Sequence, residues 1–143
     1  MQLGVQIAVG YLLVILMTLI HAAGIVAITK LLKLEDSTLR RHRLDFGAFA
    51  LLTSMALSLF ALHTLEIGLF ALFYLAVGAF REIEPALYFS TESYTTLGPG
   101  IQLPIQWRLV GAVEGLAGFI LIGWSIAVFV TDMNKLLRDR STA

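Results

Sequence analysis

The residues that could do chemistry in this chain are concentrated in the stretch 95–100, Thr-Thr-Leu-Gly-Pro-Gly, which lies between two long apolar segments. Glycine at 98 and 100 permits positive φ, and alternating signs of φ can turn successive carbonyls to the same side of the chain. Such a row of oxygens, completed by the Thr96 hydroxyl, can replace the hydration shell of a cation. Gly-Pro-Gly is also common in ordinary turns. The segments around the stretch therefore decide between a cation site and a simple turn.

The composition of the chain predicts an integral membrane protein. Hydrophobic residues make up 58% of the sequence and charged residues 14%, against about 25% charged residues in a soluble domain. The 143 residues allow a few spanning helices but no separate soluble domain. A formal net charge of +0 argues against a nucleic-acid partner, and the absence of cysteine excludes disulfides and thiol chemistry. In a membrane, irregular backbone such as 95–100 is tolerated where it is buried in protein or lines a water-filled path.

Three apolar segments are candidates for spanning helices. Residues 3–28 exceed the ~20 needed to span, and their uncharged start favours a retained helix over a cleaved signal peptide. Residues 46–80 would form a helix of about 50 Å, longer than a ~30 Å hydrocarbon core. This segment is either one long tilted helix or two short ones, although no turn signal interrupts 61–67. The third span is predicted at about 109–130.

Basic residues predict the sidedness of the chain. They crowd the short link after the first span and recur in the C-terminal tail, so both are expected in the cytoplasm: Lys30, Lys33, Arg40, Arg41, Arg43, Lys135, Arg138 and Arg140. The simpler interpretation of the link is a solvated helix extension after Asp36-Ser37, a suitable N-cap, and it is compatible with the same sidedness. The predicted parts are an additional helix at 1–33, a basic link at 34–45, a pore domain at 46–135 and a tail at 136–143. The N-terminus is expected outside an inner (plasma) membrane that the chain crosses several times.

A short helix is predicted from Pro85 to about Tyr94, directly before the Thr-rich stretch. Glu84 and Pro85 fit the chemistry of a helix start, with Pro85 at the first helical position. The helix is too short to span the membrane. If it re-enters the membrane, its partial negative C-terminus favours cations.

Residues 86–98, Ala-Leu-Tyr-Phe-Ser-Thr-Glu-Ser-Tyr-Thr-Thr-Leu-Gly, resemble the pore helix and first half of the selectivity filter of the potassium channel superfamily. The signature of that superfamily reads Thr-Thr-Val-Gly-Tyr-Gly-Asp. From Trp107 onward the chain is similar to the inner helix of bacterial two-helix channels, so the resemblance covers about 65–135. It ends within the signature, where Pro99 replaces the tyrosine and Ile101 replaces the aspartate.

The resemblance implies an all-α membrane protein with three transmembrane helices, a re-entrant pore helix and a filter loop, assembled as a homotetramer around a central pore. The permeant ions would be K⁺ or Na⁺, bound by the Thr96 hydroxyl and by backbone carbonyls of the filter: Thr96, Leu97, Gly98, Pro99 and Gly100. No cofactor, small-molecule substrate or enzyme activity is expected, and the remaining partners are membrane lipids. The predicted function is passive conduction of monovalent cations with reduced potassium selectivity. The alternative is a non-conducting membrane scaffold or subunit.

The resemblance also implies residues that support the filter. Tyr88 and Phe89 correspond to the aromatic pair of the pore helix, although plain packing is an equal alternative. Glu92 corresponds to a glutamate behind the filter that bonds to the signature aspartate, which is Ile101 here. Glu92 must therefore be neutral, bond to backbone amides or find another partner. Glu114, in the outer half of the third span, is expected to face the back of the pore helix.

The third span is rich in glycine. Gly111 and Gly115 form a small-xxx-small pattern that allows close helix packing, and packing is the simpler explanation for Gly118 and Gly123 as well. A gating hinge at Gly118 or Gly123 is the alternative.

Ionisable residues within the second span are candidate functional residues, because they are costly at membrane depth. His63 and Glu66 would share one face of a helix. They form either a structural pair or, together with Glu92 and Glu114, a proton pathway. Two ligands are weak evidence for a metal site, and His21 is alone on its helix.

Overall fold

The computed structural model describes residues 3–39, 45–98 and 100–141 and contains no strand within them. These residues form four α-helices, and a short 3₁₀ helix precedes the last: α1 Leu3–Leu39, α2 Asp45–Ala76, α3 Ile83–Tyr94, Ile105–Trp107 and α4 Arg108–Ser141. Three segments are long and apolar enough to cross a membrane: Leu3–Leu32, Phe49–Ala76 and Ile105–Lys135. The predicted all-α membrane fold with three spanning helices is therefore confirmed.

The second apolar segment is one continuous helix, so the alternative of two short helices is wrong. Helix α2 ends at Ala76, before the apolar run does, because the chain turns at Gly78. Gly78 has a φ of 69°, and its N–H donates to the Leu75 carbonyl at 3.0 Å. The Ala79 N–H donates to the Tyr74 carbonyl at 2.9 Å. These are the two bonds of a Schellman cap, which favours glycine at the left-handed position.

The start of α3 differs from the prediction by two residues. The helix begins at Ile83, after the extended residue Glu82, so Pro85 is its third residue and not its first. The position still suits proline, because the N–H groups of the first turn have no partner within the helix. Helix α3 has 12 residues, too few to span a membrane.

The two outer segments are longer helices than predicted. Helix α1 continues through Asp36-Ser37 to Leu39, so this pair does not start a new helix. Residues 40–44 of the predicted link lie outside the described residues. Helix α4 continues to Ser141, into the predicted tail.

Helix α3 packs between α2 and α4, and α1 packs against α2 and α4 on the other side. The approach of α1 to α2 is close at Gly24, where an added Cβ would lie 2.5 Å from the Leu62 side chain. Near the N-terminus of α4, Gln6 of α1 accepts a hydrogen bond from the Leu109 N–H at 3.3 Å. It satisfies one of the N–H groups that a helix start leaves free. These contacts hold α1 against α2 and against the start of α4.

Candidate functional site

The turn after α3 is a second Schellman cap, with Thr96 at the position that usually carries glycine. The Thr96 N–H donates to the Ser93 carbonyl at 3.0 Å, and the Leu97 N–H donates to the Glu92 carbonyl at 2.9 Å. Thr96 has a φ of 60°, which a β-branched residue rarely adopts. The cap therefore holds Thr96 in a strained conformation directly after the helix.

Left-handed backbone recurs two residues later. Gly98 has a φ of 84°, whereas Leu97 between them does not have a positive φ. Of the two glycines predicted to allow positive φ, Gly98 is left-handed in the structure, whereas the other left-handed residue of the turn is Thr96, which the sequence did not indicate. Pro99, the next predicted ligand, lies outside the described residues.

The turn lies on the surface of a single chain. Leu97 is 77% exposed and Ile101 is 42% exposed, although both are apolar. Beside the turn lies a groove of about 510 Å³, which is lined by Thr96, Gly98 and the α4 residues Gly111 and Gly115 among others. The turn and the groove therefore form an exposed, partly apolar face of the single chain.

Glu92 contacts a backbone amide behind the turn. Its Oε2 accepts a hydrogen bond from the Gly100 N–H at 3.0 Å. Of the three alternatives for Glu92, the structure shows a bond to a backbone amide and, in Tyr88, another partner as well. A hydrogen bond with Glu92, together with its negative charge, raises the pKa of the exposed Tyr88. Glu92 thus links α3 to Gly100, on the far side of the turn.

The two aromatic residues predicted to support the filter point in different directions. Phe89 is buried, and its ring makes a T-shaped contact with Tyr74 at a centroid distance of 5.2 Å. It also contacts Phe80 at 5.6 Å. Tyr88 is 57% exposed in the single chain. Phe89 therefore packs α3 onto α2, whereas Tyr88 lies on the surface of the chain.

Glu114 lies behind α3 and is fully buried. Its carboxylate accepts a hydrogen bond from the Tyr74 hydroxyl at 2.7 Å and another from the Ser90 hydroxyl. The Ser90 hydroxyl also lies 2.9 Å from the Ile67 carbonyl. One carboxylate on α4 therefore joins α2 and α3 at the back of the short helix.

Three glycines of α4 allow it to approach α3 closely. A Cβ at Gly111 would lie 3.0 Å from the Phe89 ring, and one at Gly115 would lie 3.0 Å from the Ser93 carbonyl oxygen. At Gly118 it would lie 2.4 Å from the Tyr94 carbonyl oxygen. At these three positions, the structure agrees with the prediction that the glycines allow close helix packing. Gly123 differs, because a Cβ there would meet nothing within 4 Å.

A second polar cluster lies deeper between the helices. His63 and Glu66 are joined by His21 of α1 and by Tyr94 at the end of α3. His21 Nδ1 lies 2.8 Å from Glu66 Oε1, and His63 Nδ1 lies 3.1 Å from Glu66 Oε2. The Tyr94 hydroxyl lies 2.7 Å from His63 Nδ1 and donates to Glu66. Sequence reasoning set His21 aside because its partners lie on other helices.

The residues of the predicted proton pathway are not joined by direct side-chain hydrogen bonds. In the part of the chain that the structure describes, no hydrogen bond joins the cluster of His21, His63, Glu66 and Tyr94 to Glu114 or Glu92. Each buried polar side-chain atom there has a partner nearby. The acidic residues therefore belong to separate groups.

Thr96→Gly is expected to stabilise the protein by about 1 kcal/mol, because glycine adopts left-handed backbone without the cost that a side chain carries. The matched control is Thr95→Gly. Thr95 has a φ of −84°, and its hydroxyl donates to the Thr91 carbonyl at 2.7 Å, so this variant should lose stability. Thermal unfolding in detergent measures both. A Thr96→Gly variant less stable than the parent would show that the conformation is not strained.

Comparison with known proteins adds one match. The model of a family described as ion channel matches residues 60–135, which include the C-terminal half of α2, the whole of α3, the turn and most of α4. No curated protein and no solved structure matches the chain. Helix α1, which carries His21, lies outside the matched residues.

Proposed function

This chain belongs to the ion-channel family, and from that membership we propose that it conducts monovalent cations passively across a membrane. The observation that carries the proposal is the alternation of left-handed residues at Thr96 and Gly98, directly after a helix too short to span. This alternation can turn successive carbonyls toward one side, where they can replace the hydration shell of an ion. The C-terminus of α3 adds a partial negative charge.

The proposed pore needs several copies of the chain, and we propose four by analogy with the potassium channel superfamily. One chain supplies a single filter strand, whereas a closed ring of carbonyls needs symmetry-related strands. The exposure of Leu97, Ile101 and Tyr88 and the open groove beside the turn fit a face that other copies cover. A mass determination in detergent or native lipid should give a tetramer. A stable monomer or dimer would contradict it.

The roles of the supporting residues follow from the same proposal. Glu92 and Glu114 hold α3 and the turn in place, and Gly118 and Gly123 are the candidate positions for a hinge. The basic residues place the link and the tail in the cytoplasm and the N-terminus outside the plasma membrane. Membrane lipids surround the outer faces of the spans.

Reduced selectivity for potassium follows from the residues that differ from the superfamily signature. Pro99 has no N–H and a restricted φ, so the backbone bond that a tyrosine could make there is lost. Ile101 cannot accept the hydrogen bonds of an aspartate, and Glu92 bonds to the Gly100 amide instead. An outer filter with fewer lateral supports should hold fewer ordered ion sites, and the number of sites is one proposed determinant of selectivity.

The test is a flux and reversal-potential measurement on the reconstituted protein under gradients of potassium, sodium and protons. The native chain should conduct both potassium and sodium, and the double variant Pro99→Tyr with Ile101→Asp should shift the reversal potential toward that of potassium. Strong potassium selectivity that the double variant leaves unchanged would contradict the role of these two positions. If no ion moves at any voltage or pH, the chain is a non-conducting scaffold or subunit.

A further inference from the structure

Three ligand groups from two helices converge inside the helix bundle. They are the imidazoles of His21 on α1 and His63 on α2, and the carboxylate of Glu66 on α2. One ligand atom of each residue lies within 4.8 Å of the others. His21 and Glu66 are fully buried, and the side chain of His63 is 18% exposed. Both rings approach the same carboxylate through Nδ1, at 2.8 Å for His21 and 3.1 Å for His63.

We propose that His21, His63 and Glu66 bind a divalent transition metal ion, with Zn²⁺ as the best match. Two imidazole nitrogens and one carboxylate oxygen form a recognised zinc ligand set that leaves a fourth position open. Tetrahedral zinc with bonds of about 2.0–2.1 Å holds its ligand atoms about 3.3 Å apart. His21 Nδ1 lies 2.8 Å from Glu66 Oε1 and His63 Nδ1 lies 3.1 Å from Glu66 Oε2, and one ligand atom from each residue lies within 4.8 Å of the others, so the three groups are close enough to share one ion.

The residues around the three proposed ligands also suit a metal site. The Tyr94 hydroxyl lies 2.7 Å from His63 Nδ1 and contacts Glu66, so it lies directly beside two of the proposed ligands. The Ser125 hydroxyl lies 3.5 Å from Nε2 of His21, the ring nitrogen that points away from the carboxylate. Metal-binding histidines usually use this second nitrogen for a hydrogen bond that fixes the orientation of the ring. The partly exposed side of His63 offers a route of entry.

The position of the site gives it a structural meaning. His21 belongs to α1, which lies outside the residues matched by the ion-channel family, whereas His63 and Glu66 lie within them. Tyr94 is the last residue of α3, and the strained Thr96 lies two residues after it. A bound ion would therefore connect the additional helix α1 to the channel core. Through Tyr94, which contacts His63 and Glu66, the site would also lie next to the Thr-rich turn.

The experiment measures metal binding directly and does not depend on conduction. The full-length chain, purified in detergent, is stripped with a chelator, dialysed against Zn²⁺ at neutral pH and analysed by elemental mass spectrometry. We expect about one zinc ion per chain. The thermal midpoint should rise with the zinc concentration, because a ligand that binds the folded state stabilises it. Co²⁺ in place of Zn²⁺ should give the intense visible absorption of a four-coordinate ion.

The variants His21→Asn, His63→Asn and Glu66→Gln should each lower the zinc content at least tenfold. Two matched controls should retain it: His42→Asn, which removes the third histidine of the chain, and Glu114→Gln, which changes a buried carboxylate outside the cluster. A parent protein that binds no more zinc than the double variant His21→Asn with His63→Asn would overturn the proposal. If the variants fail to fold, absence of the four-coordinate Co²⁺ spectrum from the parent would overturn it, and its presence would support it.

Discussion

Gly118→Ala is expected to disrupt the protein more than an alanine substitution at any other glycine of α4. The new Cβ would lie 2.4 Å from the Tyr94 carbonyl oxygen, 2.9 Å from Cγ of the Tyr94 ring and 3.0 Å from the carbonyl carbon. Two of these atoms are backbone at the end of α3, so a change of rotamer cannot relieve the clash. Overpacking of this kind costs about 1–3 kcal/mol or more.

The functional effect of Gly118→Ala should be larger than its effect on stability. To accommodate the methyl group, α3 and α4 must separate, and the residues that follow Tyr94 directly are those of the Thr-rich turn. We therefore expect conduction in reconstituted vesicles to fall at least tenfold. Thermal unfolding and ion flux, measured on the same preparation, separate the loss of folded protein from the loss of activity.

The other glycines of α4 provide a graded series of controls. Gly115→Ala should cost less, because its Cβ would lie 3.0 Å from the Ser93 carbonyl oxygen. Gly123→Ala should be neutral or slightly stabilising, because nothing lies within 4 Å and alanine favours a helix by about 1 kcal/mol. A Gly123→Ala variant that is stable but altered in gating would favour the hinge at that position. Equal stability of all three variants would contradict the packing argument.

Glu114→Ala is expected to lower the free energy of unfolding by about 3–5 kcal/mol, from a cavity together with an unpaired buried hydroxyl. The Tyr74 hydroxyl, which lies 2.7 Å from the carboxylate, would lose its acceptor. Ser90 would be less affected, because the Ile67 carbonyl lies 2.9 Å from its hydroxyl. Glu114→Gln keeps the shape and one acceptor oxygen, so its loss should be clearly smaller.

A double-mutant cycle tests the assignment to Tyr74. Tyr74→Phe alone should cost on the order of 1 kcal/mol, the net value of one hydrogen bond. In combination with Glu114→Ala, it should add little, because the unpaired hydroxyl is then absent. Chemical or thermal unfolding in detergent measures the four proteins of the cycle. Strictly additive losses would show that Tyr74 and Glu114 do not depend on each other.

Local sequence signals predicted the elements of the fold. Apolar segments of sufficient length predicted the three spans, and Thr-Thr-Leu-Gly after a helix too short to span predicted where the irregular backbone would lie. These features were readable because each depends on residues that are neighbours in the chain. The helix ends were predicted less accurately. Gly78 ends α2 through a cap whose hydrogen bonds go back to the carbonyls of Leu75 and Tyr74, and the length of an apolar segment does not predict such a cap.

The tertiary structure decided which distant side chains meet. His21 was an isolated polar residue in the sequence, and it became part of a four-residue cluster because α1 packs beside α2 and brings it 2.8 Å from Glu66. Glu114 found Tyr74 and Ser90 on two other helices. The structure likewise distinguishes Gly111, Gly115 and Gly118, which pack against other residues, from Gly123, which has nothing within 4 Å of an added Cβ. Helical periodicity places a residue on a face, but the partner of that face depends on how the helices pack.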